Sequence, residues 1–332
     1  MPELRKDPIL GRWIIISTER GKRPTDFIIK EAPTKGGFCP LCPGNETTTP
    51  AEVLVYGRKS EQPDTPGWSL RVVPNKYPAL IIEGDLDKEG EGIYDRMNGI
   101  GAHEVIIETP DHNTPFSHLL PEEMIQVFWA YRDRILDLEK DPRFQYAMIF
   151  KNFGRAAGAS LEHSHSQLVA LPILPRMIVS ELDGSKKYYG YKDRCIFCDI
   201  IRQEIKKDVR VVSQNDHFIA IEPYAPRSPF ETWILPKKHS SSYISSDNGM
   251  MESLTAIFSE IMLRLDSCIP NVPYNFVLHT SPLRSEPLEY YHWHFEIMPK
   301  LTSIAGFEWG SGFYINPVPP EDATKFLKEA KI

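Results

Sequence analysis

The sequence predicts an α+β fold of two similar halves, each a mainly antiparallel sheet with helices. Three observations carry this expectation. Six kinds of segment recur in the same order in both halves. The strand-like segments are short and joined by short loops, which favours antiparallel pairing. Each half holds one long amphipathic stretch at helical period.

The first half begins with "DPILGRWIIIST", whose short apolar run has the character of a strand. The knuckle "FCPLCPGNE" follows, then the strands "LRVVPNKYPAL" and "GAHEVIIETPDH". Next comes the helix "LPEEMIQVFWAYRDRILDLEKD", in which Ile125, Phe128, Trp129, Ile135 and Leu138 recur at helical spacing. The strand "FQYAMIFKNFG" and the segment "LEHSHSQLVALP" close this half. The second half repeats the series with "RCIFCDI", "RVVSQNDHFIAIEPYAP" and "SPFETWILPKKH". Its helix is "NGMMESLTAIFSEIMLRLD", and its last strands are "PYNFVLHTSP" and "EYYHWHFEIMP". An internal repeat of this kind marks two copies of one structural unit. The expected division is residues 1–180 and 181–332, with the boundary in the polar stretch Glu181 to Arg194.

The formal net charge of −7 lacks the basic surplus of a nucleic-acid-binding protein, although a local Arg/Lys cluster can still hold a small anion. No apolar run approaches the roughly 20 residues of a membrane span. The N-terminus lacks a signal-peptide plan, so the expected location is cytoplasmic. Four of the five cysteines form two C-x-x-C pairs, which in a reducing compartment point to metal or redox chemistry. A redox pair would want a βαβ context, which the pattern does not supply. Cys268 follows an apolar helix and is expected to be a small packed residue.

Zinc takes four ligands in a tetrahedron, and thiolate with imidazole suits it. The first expected set is Cys39, Cys42, His112 and His163. His103 and His118 flank His112 and are alternatives to it, but His239 holds the place of His112 in the second half. The second set is Cys195, Cys198, His239 and His292. Neither set leaves a place for substrate, so both zincs are expected to be structural.

Side chains at i and i+2 share one face of a strand, so His165 and Gln167 follow His163 on that face. Upstream lies "NFGRAAGAS", whose glycines let backbone N–H groups approach an anion. Asn152, Arg155 and Ser160 add side-chain donors. A neutral imidazole beside donors suited to phosphate oxygens points to phosphoryl or nucleotidyl transfer through His165. "ERGKRP" gathers Arg20, Lys22 and Arg23 near a loop suited to pyrophosphate. His294 stands where His165 stands in the first half. Glu296 replaces the glutamine there and no glycine-rich loop precedes it, so His294 is expected to be non-catalytic.

With these residues in hand, the chain resembles the galactose-1-phosphate uridylyltransferase family of the histidine-triad superfamily. The resemblance covers nearly the whole chain, including "CPLCPGNE", "VVPNKYPAL", "TPDH", "NFGRAAGASLEHSHSQ" and "HWHFEIMP". It implies two histidine-triad-like halves and a double displacement. His165 would attack the α-phosphorus of UDP-glucose, release glucose 1-phosphate and pass the uridylyl group to a second sugar phosphate. Gln167 would hydrogen-bond the transferred group, with Asn152 and Ser160 on its oxygens. Arg20, Arg23 and Asn75 would lie near the nucleotide, and Glu308 would bind the hexose. The resemblance also implies a homodimer whose subunits complete each other's sites.

Three departures bear on substrate. H-S-H-S-Q stands where the family has H-P-H-x-Q, and Asn75-Lys76 replaces the Asn-Asp of a bacterial branch. That branch builds its second metal site from a glutamate and three histidines, and Glu181, His279, His292 and His294 occupy matching places. The second C-x-x-C and the ending "GFEWGSGFYINPVPPEDA" are similar to the plant ADP-glucose phosphorylase branch. Adenylyl transfer from ADP-glucose to phosphate is therefore the alternative by the same mechanism. Dinucleotide hydrolysis is more distant, because hydrolytic relatives carry a third histidine where this chain has Gln167.

Overall fold

The computed structural model describes residues 2–17, 23–27 and 37–332. Its fifteen strands in chain order are β1 (Glu3–Lys6), β2 (Trp13–Ile16), β3 (Leu54–Tyr56), β4 (Leu70–Pro74), β5 (Glu89–Glu91), β6 (Tyr94–Arg96), β7 (Ala102–Ile107), β8 (Tyr146–Phe153), β9 (His165–Leu171), β10 (Val211–Gln214), β11 (Phe218–Ile221), β12 (Thr232–Pro236), β13 (Tyr274–His279), β14 (His294–Pro299) and β15 (Tyr314–Asn316). The helices are α1 (Pro121–Leu138), α2 (Arg176–Lys192), α3 (Ile196–Lys207), α4 (Asn248–Cys268), α5 (Gly306–Ser311) and α6 (Pro320–Glu329). The fold is α+β.

Ten strands form one sheet in the order β10-β11-β12-β14-β13-β8-β9-β7-β4-β3, with every neighbouring pair antiparallel. The order explains the repeat. From the central pair outward, β8-β9-β7-β4-β3 on one side matches β13-β14-β12-β11-β10 on the other. Phe150 of β8 pairs with Val277 of β13 at the centre of this two-fold relation. One line of residues crosses the sheet from there. Toward one edge it runs through Gln167, Val105 and Val73, and toward the other through Glu296, Trp233 and Ile221. Gln167 and Glu296 are therefore structural counterparts on one face.

The opposite face carries α1 and α4. Both helices bury one stripe, in α4 Met251, Leu254, Phe258, Ile261, Met262 and Leu265, at the i, i+3, i+4 spacing of a core-facing helix. Asp247 caps α4 by accepting a hydrogen bond from the Met250 N–H at 2.9 Å. Phe258 meets Phe128, Phe276 and Phe295 with ring centroids 5.2–5.4 Å apart, so aromatic contacts of both halves knot the centre of the core.

The structure departs from the sequence expectation in the polar stretch Glu181 to Arg194. It is mostly helical, as the larger part of α2. Gly184 lets α2 approach the N-terminal segment, since a Cβ there would stand 2.0 Å from the Ile9 carbonyl oxygen. The second half thus has more than one helix: α2 and α3 cover its open face, where Ile196, Phe197 and Ile201 pack on Ile219, Ile221 and Leu235. The N-terminal strands stand apart from the main sheet. β1 and β2 form a small sheet with β15, and β2–β15 is a parallel pair.

Candidate active site and metal centres

Two Cys/His clusters lie at matching places. In the first, Cys39 and Cys42 occupy a tight turn closed by the Cys42 N–H on the Cys39 carbonyl, and Asn45 Nδ2 donates to the same carbonyl at 2.8 Å. Sγ of Cys42 lies 3.3 Å from His112 Nδ1 and 3.5 Å from His163 Nδ1, and Cys39 Sγ lies 3.8 Å from His163 Nδ1. In the second, Cys195 caps α3 and Cys198 sits in its first turn. Cys198 Sγ stands 3.5 Å from His239 Nδ1 and 3.7 Å from His292 Nδ1.

These separations fit a metal. With nitrogen at ~2.0–2.1 Å and sulfur at ~2.3 Å from zinc, the edges of a tetrahedron are roughly 3.3–3.8 Å. The tautomers fit as well. His163 Nε2–H donates to the Thr109 carbonyl at 2.7 Å, and His292 Nε2–H to the Pro236 carbonyl at 2.8 Å. His239 Nε2–H does the same toward the Leu288 carbonyl at 3.1 Å. Each Nδ1 lone pair is thereby turned to the thiols. Burial and the neighbouring Cys39 push the Cys42 thiol up to about 11. In the other pair Cys198 raises Cys195, while Cys195, His239 and His292 hold Cys198 low. Both sets could hold a metal ion and are compatible with zinc. The alternatives to His112 serve otherwise: His118 bonds Ser117 Oγ, and His103 belongs to the site below.

His165 opens β9, 6% exposed. Its Nδ1 lies 2.7 Å from the His163 carbonyl oxygen. A carbonyl can only accept, so Nδ1 carries the proton and Nε2 keeps the nucleophilic lone pair. Burial and the Lys151 cation hold this imidazole below the usual histidine range, which keeps it neutral near pH 7. Lys151 lies beneath the strand at 1% exposure, its Nζ donating to the His165 carbonyl at 2.8 Å, Glu108 Oε2 at 2.5 Å and Ser164 Oγ at 3.1 Å. Ser164, the residue between the two histidines, donates to Glu108 Oε2 at 2.6 Å. A buried charged network thus fixes the backbone at His165 from behind.

Two neighbours are oriented by residues that no sequence motif selects for that role. His103 Nδ1 accepts the Ala79 N–H at 3.1 Å, so its Nε2–H donates to Gln167 Oε1 at 2.8 Å. The Gln167 –NH₂ is left as a donor. Asn75 stands beside the pair, with Nδ2 at 3.1 Å from His103 Nε2. Asn275, from β13 of the other half, donates to Asn152 Oδ1 at 2.7 Å and to the Ala157 carbonyl at 2.8 Å. Asn152 Nδ2 is therefore also free to donate, next to the Gly154–Gly158 turn whose end glycines have φ of 77° and 89°. The antiparallel pairings signal both contacts once the strands are aligned; the linear sequence does not.

Two family models match this chain: the N-terminal domain of galactose-1-phosphate uridyl transferase over residues 1–175 and its C-terminal domain over residues 181–324. The chain belongs to the galactose-1-phosphate uridyl transferase family. Within the family it is 38% identical to an ADP-glucose phosphorylase of Arabidopsis thaliana, over 100% of this chain and 93% of that protein. It is 28% identical to a galactose-1-phosphate uridylyltransferase of Thermotoga maritima, over 100% and 99%. The crystal structure of an Arabidopsis thaliana ADP-glucose phosphorylase with bound ADP-glucose superposes with a TM-score of 0.85 at 36% identity, covering both chains fully. A uridylyltransferase structure gives 0.77 at 28% identity, covering 99% and 97%.

In this family member the second half keeps a sealed counterpart of the His165 site. His294 Nδ1–H donates to the His292 carbonyl at 3.1 Å, as His165 does to that of His163. Its Nε2 is buried without a partner among the described residues, and its ring lies against Phe197 and Trp233. Glu181, His279, His294 and Glu296 cluster closely enough to hold a metal ion. His292 faces the thiols instead, and Glu296 takes its place in this cluster. The cluster already balances its own charge. His279 Nδ1–H meets Glu181 Oε2 at 3.0 Å, its Nε2–H faces Glu296 Oε2 at 3.5 Å, and Arg227 pairs with Glu296. Burial disfavours the imidazolium, but Glu181 and Glu296 outweigh it and push His279 up to about 10.

Arg155 and Ser160 lie exposed on the loop before β9. Arg23 is exposed in the N-terminal segment, its backbone N–H bonded to Asp26 Oδ2. Glu308 caps α5 by accepting the Ala305 N–H at 3.0 Å. No hydrogen bond or ion pair among the described residues joins Arg23 or Glu308 to the His165 cluster. Arg20 lies outside the described residues. No described helix is long and apolar enough to cross a membrane.

Proposed function

We propose that the protein transfers a nucleotidyl group from a nucleoside diphosphate hexose to a phosphate-bearing acceptor through a nucleotidyl-His165 intermediate. The observation that carries this reading is the His165 imidazole, fixed with Nδ1–H on a carbonyl and Nε2 available, beside the free amide donors of Gln167 and Asn152. Nε2 attacks the α-phosphorus, the P–O bond to the β-phosphate breaks, and hexose 1-phosphate leaves. The acceptor's phosphate oxygen then attacks the same phosphorus and frees Nε2. Gln167, Asn152, Ser160 and Arg155 stabilise the oxygens that gain charge. Asn75 lies near the nucleotide.

ADP-glucose is the donor and inorganic phosphate the acceptor best supported, because the phosphorylase relative is the more similar of the two described in both sequence and structure. Uridylyl transfer from UDP-glucose to galactose 1-phosphate is the second reading, supported by the family models and the Thermotoga relative. Arg20, Arg23 and Glu308 act in a homodimer, where they reach the partner's site. The exposure of Phe307 and Trp309 beside Glu308 supports a surface made for another chain. The two Cys/His sets hold structural zinc, and their free thiols suit the cytoplasm.

The test is turnover with two substrate pairs, ADP-glucose with phosphate and UDP-glucose with galactose 1-phosphate, following glucose 1-phosphate release. The first pair is expected to be faster. Faster turnover of the second would establish the uridylyl reading. Free nucleoside monophosphate formed without acceptor would indicate a hydrolase.

A further inference from the structure

The strands that carry Asn152 and His165 part just before they reach them. β8 and β9 are paired from Tyr146 with Leu171 to Phe150 with Gln167. The next pair on that face in the same register is Asn152 opposite His165, and the pairing stops short of it. On its other edge β9 stays paired as far as His165 with Ile107. The second half does not part in this way. There the corresponding strands continue through Leu278 with Phe295 to His279 with His294, and those two rings stack at 4.7 Å. The first half thus holds open the gap that its copy closes, between the proposed nucleophile and a free amide donor.

One side chain bridges that gap from behind. Lys151 leaves β8 next to Asn152, on the face covered by the helices, where it is paired with Phe276. Its Nζ donates to the His165 carbonyl on β9 at 2.8 Å and to Glu108 Oε2, just past the end of β7, at 2.5 Å. Ser164 Oγ accepts from the same ammonium at 3.1 Å and donates to Glu108 Oε2 at 2.6 Å. The Glu108 N–H returns to the Ser164 carbonyl at 3.3 Å. Three chain segments therefore meet at one ammonium where the β8–β9 pairing has ended.

The second half fills the same places with apolar groups. Leu278, one residue past the central Phe150–Val277 pair, stands for Lys151, and Trp293, between the two histidines, stands for Ser164. Both are buried in the core. Well-packed apolar residues in place of a buried ion pair are often as stable or more so. The fold alone gives no reason for charge behind His165, and the open gap does. The His165 ring takes its Nδ1–H bond from the carbonyl of His163 on its own chain, so its placement is only as exact as that of residues 163–165.

We propose that Lys151, Glu108 and Ser164 are positioning residues for nucleotidyl transfer, holding the strand of His165 at a fixed distance from the strand of Asn152 so that both reach one α-phosphate. This inference rests on the reaction proposed above. Lys151 and Glu108 touch no substrate; they act through the His165 backbone.

The test compares three metal-loaded, full-length variants with the wild type. Lys151→Met with Glu108→Gln removes both charges and keeps the volumes similar. Ser164→Ala removes one tie and leaves the ion pair. Trp293→Phe alters the counterpart position, where the indole N–H has no partner among the described residues. Melting temperature, zinc content, KM and the rate of nucleotidyl-His165 formation at saturating ADP-glucose, and separately UDP-glucose, are read for each. The double variant is expected to form the adduct about 10–100-fold more slowly with KM little changed, since a misplacement of about 1 Å costs this much. Ser164→Ala should slow it by roughly three- to tenfold and carries the test if the double variant does not fold. Trp293→Phe should lower the melting temperature and leave the rate unchanged. Adduct formation at the wild-type rate in a folded double variant, or in Ser164→Ala where the double variant fails to fold, would overturn this inference alone. So would an equal loss of rate in Trp293→Phe. Wild-type protein that forms no adduct would overturn the proposed function, and this inference with it.

Discussion

His165 and His294 show how little separates the proposed nucleophile from a sealed histidine. Both occupy the same place in the repeat, and both give Nδ1–H to a carbonyl two residues back. The difference lies in what covers Nε2. His294 is 0% exposed against Phe197, Trp233 and His279. His165 keeps an opening and is flanked by amides with free donors. Those amides depend on His103 and Asn275. Replacing His103 with Ala should release Gln167 Oε1 and lower kcat by about 10–100-fold, with a smaller change in KM, because a displaced donor costs that much in orientation. Steady-state kinetics on both substrates check this. Asn275→Ala should slow turnover in the same way while leaving metal content intact. That His165 and Gln167 share one face was legible from alternation alone, since i and i+2 point the same way. His103 and Asn275 were not, because their roles arise from strand pairing between distant segments.

At the scale of elements, the two Cys/His knuckles clamp each half's H-x-H strand to the loops beside it. Removing metal with a strong chelator, or substituting Cys39→Ser, should lower the melting temperature together with zinc content. An unchanged Tm after verified metal loss would contradict a structural role. The thiol pairs with their downstream histidines were readable because metal ligation fixes residue type and approximate spacing. The helical nature of Glu181 to Arg194 was not readable: polar composition suggested a linker, yet Ile178, Glu181 and Ser185 make a buried stripe. Glu181 is buried there because it faces His279 and Tyr291, two partners more than 90 residues away.

That buried network and the one around Lys151 each give a stability prediction. His279 is charged in the folded protein up to about pH 10, against a usual value near 6.5. Its contribution is fully present below about pH 6.5 and is lost as pH rises through about 10. His279→Ala leaves Glu181 and Glu296 short of a cation and should destabilise by about 3–5 kcal/mol at neutral pH. It should also flatten stability between those pH values, as denaturant titrations would show. Lys151→Met should cost a similar ~3–5 kcal/mol by stranding Glu108, and Lys151→Met with Glu108→Gln should recover much of it. A double variant no more stable than the single one would remove the ion pair from the account.

The molecule is built on one ten-stranded sheet made from two copies of a five-strand unit, joined at Phe150 and Val277. One copy keeps an opening at His165, the proposed nucleophile, and the other closes over a charge-balanced cluster. The order of elements made the duplication legible from sequence. The joining of the two halves into a single sheet was not, because an edge strand carries no mark of the partner it will meet. The division into residues 1–180 and 181–332 is therefore proposed as a division of ancestry and chemistry rather than of separate cores, since Asn275 of one half orients Asn152 of the other. The most direct measurement of the central claim is intact-protein mass after brief exposure to ADP-glucose, and separately to UDP-glucose, without acceptor. A nucleotidyl adduct that maps to His165 and vanishes on adding acceptor is the expected result, with the adenylyl form predominating. An adduct that persists in folded His165→Ala protein, or none with either sugar nucleotide in metal-loaded wild type, would contradict it.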